Sequence, residues 1–197
     1  MAASEVEICN LALTKVGNLT ITALTDGTKE ARACKVYYPL MRNELLAGHP
    51  WNFAMARADI SALLLATPAF QWDFAYTVPA DCLRVWELYG TDAEWVVEQG
   101  QFLTNQEEEI FIRYIFKLED SLKFSPSFDC CLAQRLAAEL ATKLADDKAL
   151  RQALLQELYQ KYLPEAKMLN AHEGNGPEPK GSQPLDKGNY TWVKEGH

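Results

Sequence analysis

The sequence predicts an α+β fold, mainly α: a helical bundle built from N- and C-terminal helix pairs, an inserted small antiparallel β region, and a flexible C-terminal tail. Three observations predict it. Apolar residues recur at helical spacing before Gly48 and again after Ser125. Between Phe70 and Phe124 the period changes to two. From Glu173 onward Gly and Pro follow one another in quick succession. The boundaries that follow are 1–69 and 125–172 for the helical bundle, 70–124 for the β insertion, and 173–197 for a flexible C-terminal arm.

The first helix starts at a capping box, with Ser4 as N-cap and Glu7 three residues on. Ile8, Leu11, Ala12 and Val16 then mark one face, and Gly17 fits the glycine that follows a helix end. Thr25-Asp26-Gly27-Thr28 carries turn and cap chemistry. The second helix is expected from about Lys29 to Ala47, with Cys34, Tyr37 or Tyr38, Met41 and Leu45 on one face. Pro39 lacks an N–H to donate and is expected to kink or interrupt it, and Gly48 and Pro50 end it. Trp51 to Ala58 reads as a short helix or turn, and the run from there to Pro68 is ambiguous.

In the insertion, Trp72, Phe74 and Tyr76 alternate up to the break at Pro79-Ala80-Asp81. Strands are expected at Leu83–Tyr89, Trp95–Val97, Phe102–Leu103 and Ile110–Phe116, punctuated by Gly90, Gln99-Gly100 and Asn105-Gln106. The spacing suits an antiparallel meander. Ser125-Pro126 then opens a helix with Leu132, Leu136, Leu140 and Leu144 every four residues and an alanine stripe beside them. Leu150, Leu154, Leu158 and Tyr162 mark a further helix that Pro164 kinks or restarts. Beyond Glu173 a polar arm ends in Tyr190, Trp192 and Val193, a pattern suited to docking on a neighbour.

Composition excludes several functions. An apolar fraction of 48% with 23% charged residues is that of an ordinary globular protein. The longest apolar run, Ile60–Ala66, is far below the ~20 residues of a membrane span. The first residues lack the features of a signal peptide, so cytoplasmic synthesis and no membrane partner are expected. The five cysteines show no CxxC pair and read as small buried hydrophobes. The net charge of −8 is concentrated: Phe70 to Phe124 holds eleven acids and four bases. Gripping nucleic acid takes clustered Lys and Arg, which the chain lacks, so sequence-specific binding is not expected. A regulator built on the helices suffers from the same lack of a basic recognition helix.

A phosphate loop, a nucleophile elbow and a His with a Cys or Ser at suggestive spacing are all missing from the sequence. Neither a metal nor a cofactor is expected. Carboxylates are the one enzymatic option. Asp73, Asp81, Glu87, Asp92, Glu94 and Glu98 lie among Trp72, Tyr76, Trp86 and Trp95, as in a sugar-binding cleft. The alternative function is therefore a carbohydrate-active or carbohydrate-binding protein that uses the acidic, aromatic β insertion. The plainer reading is that strand carboxylates face water and the aromatics face the core.

Three blocks carry a resemblance. Ile8-Cys9-Asn10-Leu11-Ala12-Leu13, closing at Val16-Gly17, resembles the opening of bacteriophage tail tubular protein A and related head-to-tail adaptors of the podovirus-type connector class. Leu45-Leu46 leading into His49-Pro50-Trp51-Asn52-Phe53-Ala54 is similar to the same family, as is Tyr76-Thr77-Val78-Pro79-Ala80-Asp81-Cys82-Leu83-Arg84-Val85. The likeness spans roughly Ser4 to Glu173, and the order of the blocks gives it its specificity. It implies a structural virion protein and not an enzyme. It implies a homo-oligomeric ring, dodecameric in this class, between the phage portal protein and the tail nozzle, tail tubular protein B. Such a ring is assembled in the host cytoplasm and extends the channel through which genomic DNA passes.

Trp51, Phe53, Tyr190 and Trp192 are candidate interface residues. Trp51 and Phe53 read more readily as plugs at the base of the bundle. Asp92, Glu94, Glu107, Glu108 and Glu109 are candidate acidic channel or surface residues, on a wall that like-charged DNA slides past.

Overall fold

A computed structural model describes residues 3–61, 67–107 and 109–174. Helix α1 covers Glu5–Lys15. The Ser4 hydroxyl accepts from the Glu7 N–H at 3.3 Å, and the Glu7 carboxylate accepts from the Ser4 N–H at 2.7 Å, which closes the capping box. Gly17 takes the left-handed conformation (φ 69°) that turns the chain out of the helix. The connection that follows is pinned by Asn10, whose side chain both donates to and accepts from the backbone of Ile21. Thr28 caps helix α2, Lys29–Ala47, which passes through Pro39 without a break.

Helix α3, Pro126–Ala145, starts at the Ser125 cap and ends at Asp146 in the left-handed region. Helix α4, Lys148–Glu157, continues through a π-helical turn, Leu158–Tyr162, into helix α5, Leu163–Gly174. The wide turn lies just before Pro164. That proline can neither donate a helical hydrogen bond nor fit its ring against the preceding turn, and a loosened ladder accommodates it.

Six strands form: β1 Met55–Asp59, β2 Phe74–Thr77, β3 Cys82–Tyr89, β4 Trp95–Glu98, β5 Gln101–Thr104 and β6 Phe111–Phe116; β1 lies in the segment expected to be helical, so the β region does not begin at Phe70. The Trp51 segment is thus a 3₁₀ turn, Asn52–Ala54, leading into a strand. The strands do not form a meander. They make two three-stranded antiparallel sheets, β1-β6-β3 and β2-β5-β4. Only β4 and β5 join as a hairpin, with Glu98 opposite Gln101 and a two-residue loop at Gln99 (φ 51°) and Gly100 (φ 75°). Two positive φ angles in a two-residue loop match the twist of the flanking strands.

The expected bundle of N- and C-terminal helix pairs does not form. Instead α3 is a central post: α1, α2, α4 and α5 all pack on it, and α1 and α2 barely meet each other. The reason lies in the α3 sequence. Its leucine stripe (Leu132, Leu136, Leu140) and its alanine stripe (Ala133, Ala137, Ala141) are both fully buried, joined by Phe128, Cys131 and Ala138. A helix apolar on so much of its circumference is covered from several sides and does not pair with one neighbour.

A second, smaller core lies between the sheets: Ile60, Tyr76, Val85, Leu88, Phe102, Ile110, Ile112 and Tyr114. Alternation along β6 splits its side chains. Ile112 and Tyr114 face this small core, whereas Ile115, on the opposite face, reaches the helical core with Met55 and Leu83. The upper part of that same face, Arg57, Asp59, Phe111, Arg113 and Tyr89, stays open.

The cysteines also depart from the expectation of uniform burial. Cys9, Cys34 and Cys131 are buried, Cys82 is half-buried and Cys130 is exposed. Adjacent helix positions point roughly 100° apart, so Cys130 and Cys131 cannot both face the core.

Candidate functional site

Trp51 is fully buried and its indole N–H donates to the Leu45 carbonyl at 2.9 Å. It meets Phe128 edge-on at a centroid distance of 5.2 Å and His49 at 4.7 Å. Half-buried Phe53 lies 6.0 Å from Trp51 and packs on Phe124 and Phe128. Both aromatics therefore knit the end of α2 to the start of α3, and Trp51 offers no area to a partner. The same turn is tied to α5. The Asn52 N–H donates to the Asn170 side-chain oxygen at 2.8 Å, the Asn52 amide donates to the Asn170 carbonyl, and the Asn170 amide donates to Pro50 and to His49 Nε2. Burial, then the charge of Lys167, lowers the His49 pKa, which keeps its acceptor nitrogen free.

Arg135 on α3 is one of the buried charged groups of the helical unit, with Arg42, Asp129 and Glu30. It forks onto Glu44 of α2 at 3.0 and 3.3 Å and bonds Glu139 one turn along α3. Arg151 of α4 reaches the same Glu139 at 3.3 Å. Burial pushes the Glu139 carboxyl up, and the two guanidinium groups more than reverse this, leaving its pKa below the ordinary value. The network joins three helices and is saturated by its own members.

Asp92 and Glu94 are exposed just before β4, and Glu107 and Glu109 are exposed between β5 and β6, while Glu108, Tyr190 and Trp192 lie outside the described residues. From Thr91 to Glu109 the sequence holds no Lys or Arg. The remaining insertion acids do not converge. Asp81 accepts from Tyr114, and Glu87 pairs with Arg113 at 2.8 Å. Of the aromatics beside them, Tyr76 is buried and Trp95 stacks on Phe102 at 5.3 Å. Among the described residues, no group of three or more His, Cys, Asp or Glu could hold a metal ion.

Two surfaces stand out that the sequence did not reveal. The first is the open face of the β1-β6-β3 sheet, a shallow groove of about 390 Å³ lined by Arg57, Asp59, Tyr89, Phe111 and Arg113. Phe111 is 41% exposed and Tyr89 65%, unusual for aromatics on strands that already bury their other face. Arg57 sits directly opposite Arg113 across the strands. Arg113 is neutralised by Glu87, and the one carboxylate in the groove, Asp59, is held by the Ser61 N–H and hydroxyl. The second is a cationic groove between the start of α2 and the end of α3, lined by Lys29, Arg32, Val36, Tyr37 and Lys143. The signal for the first was present: Tyr89 and Phe111 occupy positions that alternation assigns to solvent. The second depends on α2 and α3 lying antiparallel, which no local pattern gives.

No protein-family model matches the chain. No curated protein matches it either.

Proposed function

We propose that the chain is a structural subunit of a tailed-phage head-to-tail adaptor ring, joining a portal protein to the tail nozzle and extending the DNA channel. The observation that carries this reading is the ordered set of three sequence blocks, Ile8–Gly17, Leu45–Ala54 and Tyr76–Val85. The chain's surface chemistry supports it. Carboxylates are spread over the second sheet or tied into ion pairs, and none sits opposite another in the two grooves described. The exposed Tyr89 and Phe111 beside Arg57 and Arg113 belong to the residue types favoured at protein interfaces. The acids of the second sheet repel phosphate, as the wall of a conduit should. On this reading the subunit turns over no substrate and needs no cofactor.

The test is assembly. Purified chain mixed with the matching portal ring should add a regular ring of density in negative-stain images. A chain that never joins the portal ring, at any ratio, would overturn the proposal. A monomer in isolation would not, because adaptors can wait for the portal before assembling.

A further inference from the structure

We infer, independently of the adaptor reading, that the segment Tyr190–Val193 of this chain folds back over the open face of the β1-β6-β3 sheet, with Tyr190 and Trp192 against Tyr89 and Phe111 and beside Arg57.

The strand register orders that face. Residues paired across strands share one side of a sheet, so Asp59, Phe111 and Tyr89 form one row and Arg57, Arg113 and Glu87 the next. Below these rows Met55 and Ile115 turn into the helical core. The two rows stand clear of that core and frame the groove of about 390 Å³. Tyr89 and Phe111 are neighbours across β3 and β6, and both are exposed. Of the charges in these rows, Arg113 is spent on Glu87 and Asp59 on Ser61. Arg57 has no partner among the described residues. The face therefore lacks a cover that is apolar and also receives a guanidinium. An aromatic ring does both: it packs on Tyr89 and Phe111, and its π face attracts Arg57.

The chain carries such a cover. Tyr190 and Trp192 lie outside the described residues and are the aromatics of 175–197, and in an extended segment residues two apart fall on one side. The stretch that leads to them starts beside the groove. Helix α5 belongs to the helical core through Ala166, and near its end Asn170 is bonded to Asn52 and Pro50. Asn52–Ala54 runs straight into β1, so Arg57 stands within about 18 Å of Asn52 along the chain. The helical core meets this sheet on the face that carries the groove, so α5 ends on the side onto which the groove opens.

Residues 175–189 connect Gly174 to Tyr190. A stretch of that length spans roughly 20 Å on average and about 50 Å at full extension. Such a tether holds its far end at an effective concentration on the order of millimolar, so a modest fit suffices. The α2–α3 groove is the poorer seat. It opens at Lys29 and Arg32, the far end of α2, roughly 27 Å from Ala47 at the helical rise. Its cationic rim also meets no net charge in 175–197, where Glu178, Asp186 and Glu195 balance Lys180, Lys187 and Lys194. Once seated on the sheet, the segment caps the surface that Tyr89 and Phe111 otherwise offer to a partner.

Nuclear magnetic resonance on the full chain tests this. Trp192→Phe identifies the Trp192 indole N–H signal. Overhauser contacts should link that indole to the rings of Tyr89 and Phe111 within one molecule. Tyr89→Ala with Phe111→Ala should abolish them and move the signal to its position in a free peptide of residues 186–197. Arg57→Ser, which touches neither core, should move it part of the way. Unchanged signals from α3 verify that each variant is folded. A wild-type Trp192 signal at the free-peptide position, or one that ignores all three substitutions, overturns the inference. Contacts found only between differently labelled copies in an isotope-filtered mixture also overturn it, because the occupant is then a second copy. None of these outcomes bears on the adaptor reading, which joining the portal ring decides.

Discussion

The helical unit and the β unit solve the same problem differently. Around α3 the chain covers itself: both stripes of the post are buried, the Trp51 cluster closes one end, and Arg135 is matched by Glu44 and Glu139. The β unit has a thin core between two three-stranded sheets and leaves Tyr89, Phe111, Trp86 and Val97 in solvent. The first unit rests on a large core gathered around one helix, and the second on a thin core with aromatic side chains left in solvent beside it. The helical unit is not sealed either: Leu19, Val36, Leu40, Tyr159 and Met168 stand exposed on it.

The largest effect expected on this contrast comes from Phe128→Ala. Phe128 is fully buried and touches Trp51, Phe53 and Phe124, so its loss should cost about 3–5 kcal/mol in a urea titration. If the β unit leans on the helical core through Ile115, Met55 and Leu83, one transition should be seen. Two separated transitions would show the units to be independent.

Arg135→Leu should cost about 2–3 kcal/mol, less than a fully buried pair because Glu44 is 46% exposed. The Glu139 pKa lies below its unfolded value, so this stabilisation is present above pH ~4.5 and is lost as pH falls through the lowered pKa. Glu139→Gln should flatten that acid limb. An unchanged limb would assign the acid sensitivity to another group.

Asn170→Ala should cost about 1–2 kcal/mol by leaving Asn52 without its partners. His49 adds a pH signature of opposite origin. Its lowered pKa means that the unfolded chain takes up a proton first, so stability is full above pH ~6.5 and declines as pH falls below it. His49→Gln should remove that decline.

The smallest effect belongs to the hairpin. Gly100→Ala places a Cβ at φ 75° with open space around it, so the expected loss is backbone strain alone, about 1 kcal/mol. Hydrogen exchange should confine the change to β4 and β5. A change that spreads to α3 would mean the tip is wired into the helical core.

Local chemistry was easily read from the sequence. The Ser4 capping box, the Ser125-Pro126 start, the span of α2 and the Gln99-Gly100 loop are each set by residues within one turn of themselves, and each stands where the sequence puts it. The arrangement was harder. Strand β1 was missed because Met55-Ala56-Arg57-Ala58-Asp59 is poor in β-branched and aromatic residues, and it is a strand only because β6 pairs with it. The split into two sheets follows from pairings of distant segments, β1 with β6 and β2 with β5, which a meander pattern does not encode. Helix pairing is not legible because neighbours in the chain need not touch, although the second apolar stripe of α3 stands in the sequence. For the functional surfaces, acid placement was legible, since exposed charge needs no partner. Trp51 was ambiguous because aromatics serve cores and interfaces alike, and burial alone decides it.

The π turn has a consequence for how the last helical stretch may vary. Inward-facing positions there fall every fourth residue: Leu154, Leu158, Tyr162, Ala166 and Asn170. An ordinary α-helix would carry such a series round by roughly 160° over its sixteen residues. The wide turn at Leu158–Tyr162 unwinds much of that drift and brings Asn170 back to Asn52. It works as a phase corrector, so the stretch tolerates substitution far better than it tolerates a change of length. Removing a single residue from the turn would swing everything beyond it by about a quarter of a circle, and Asn170 would face water.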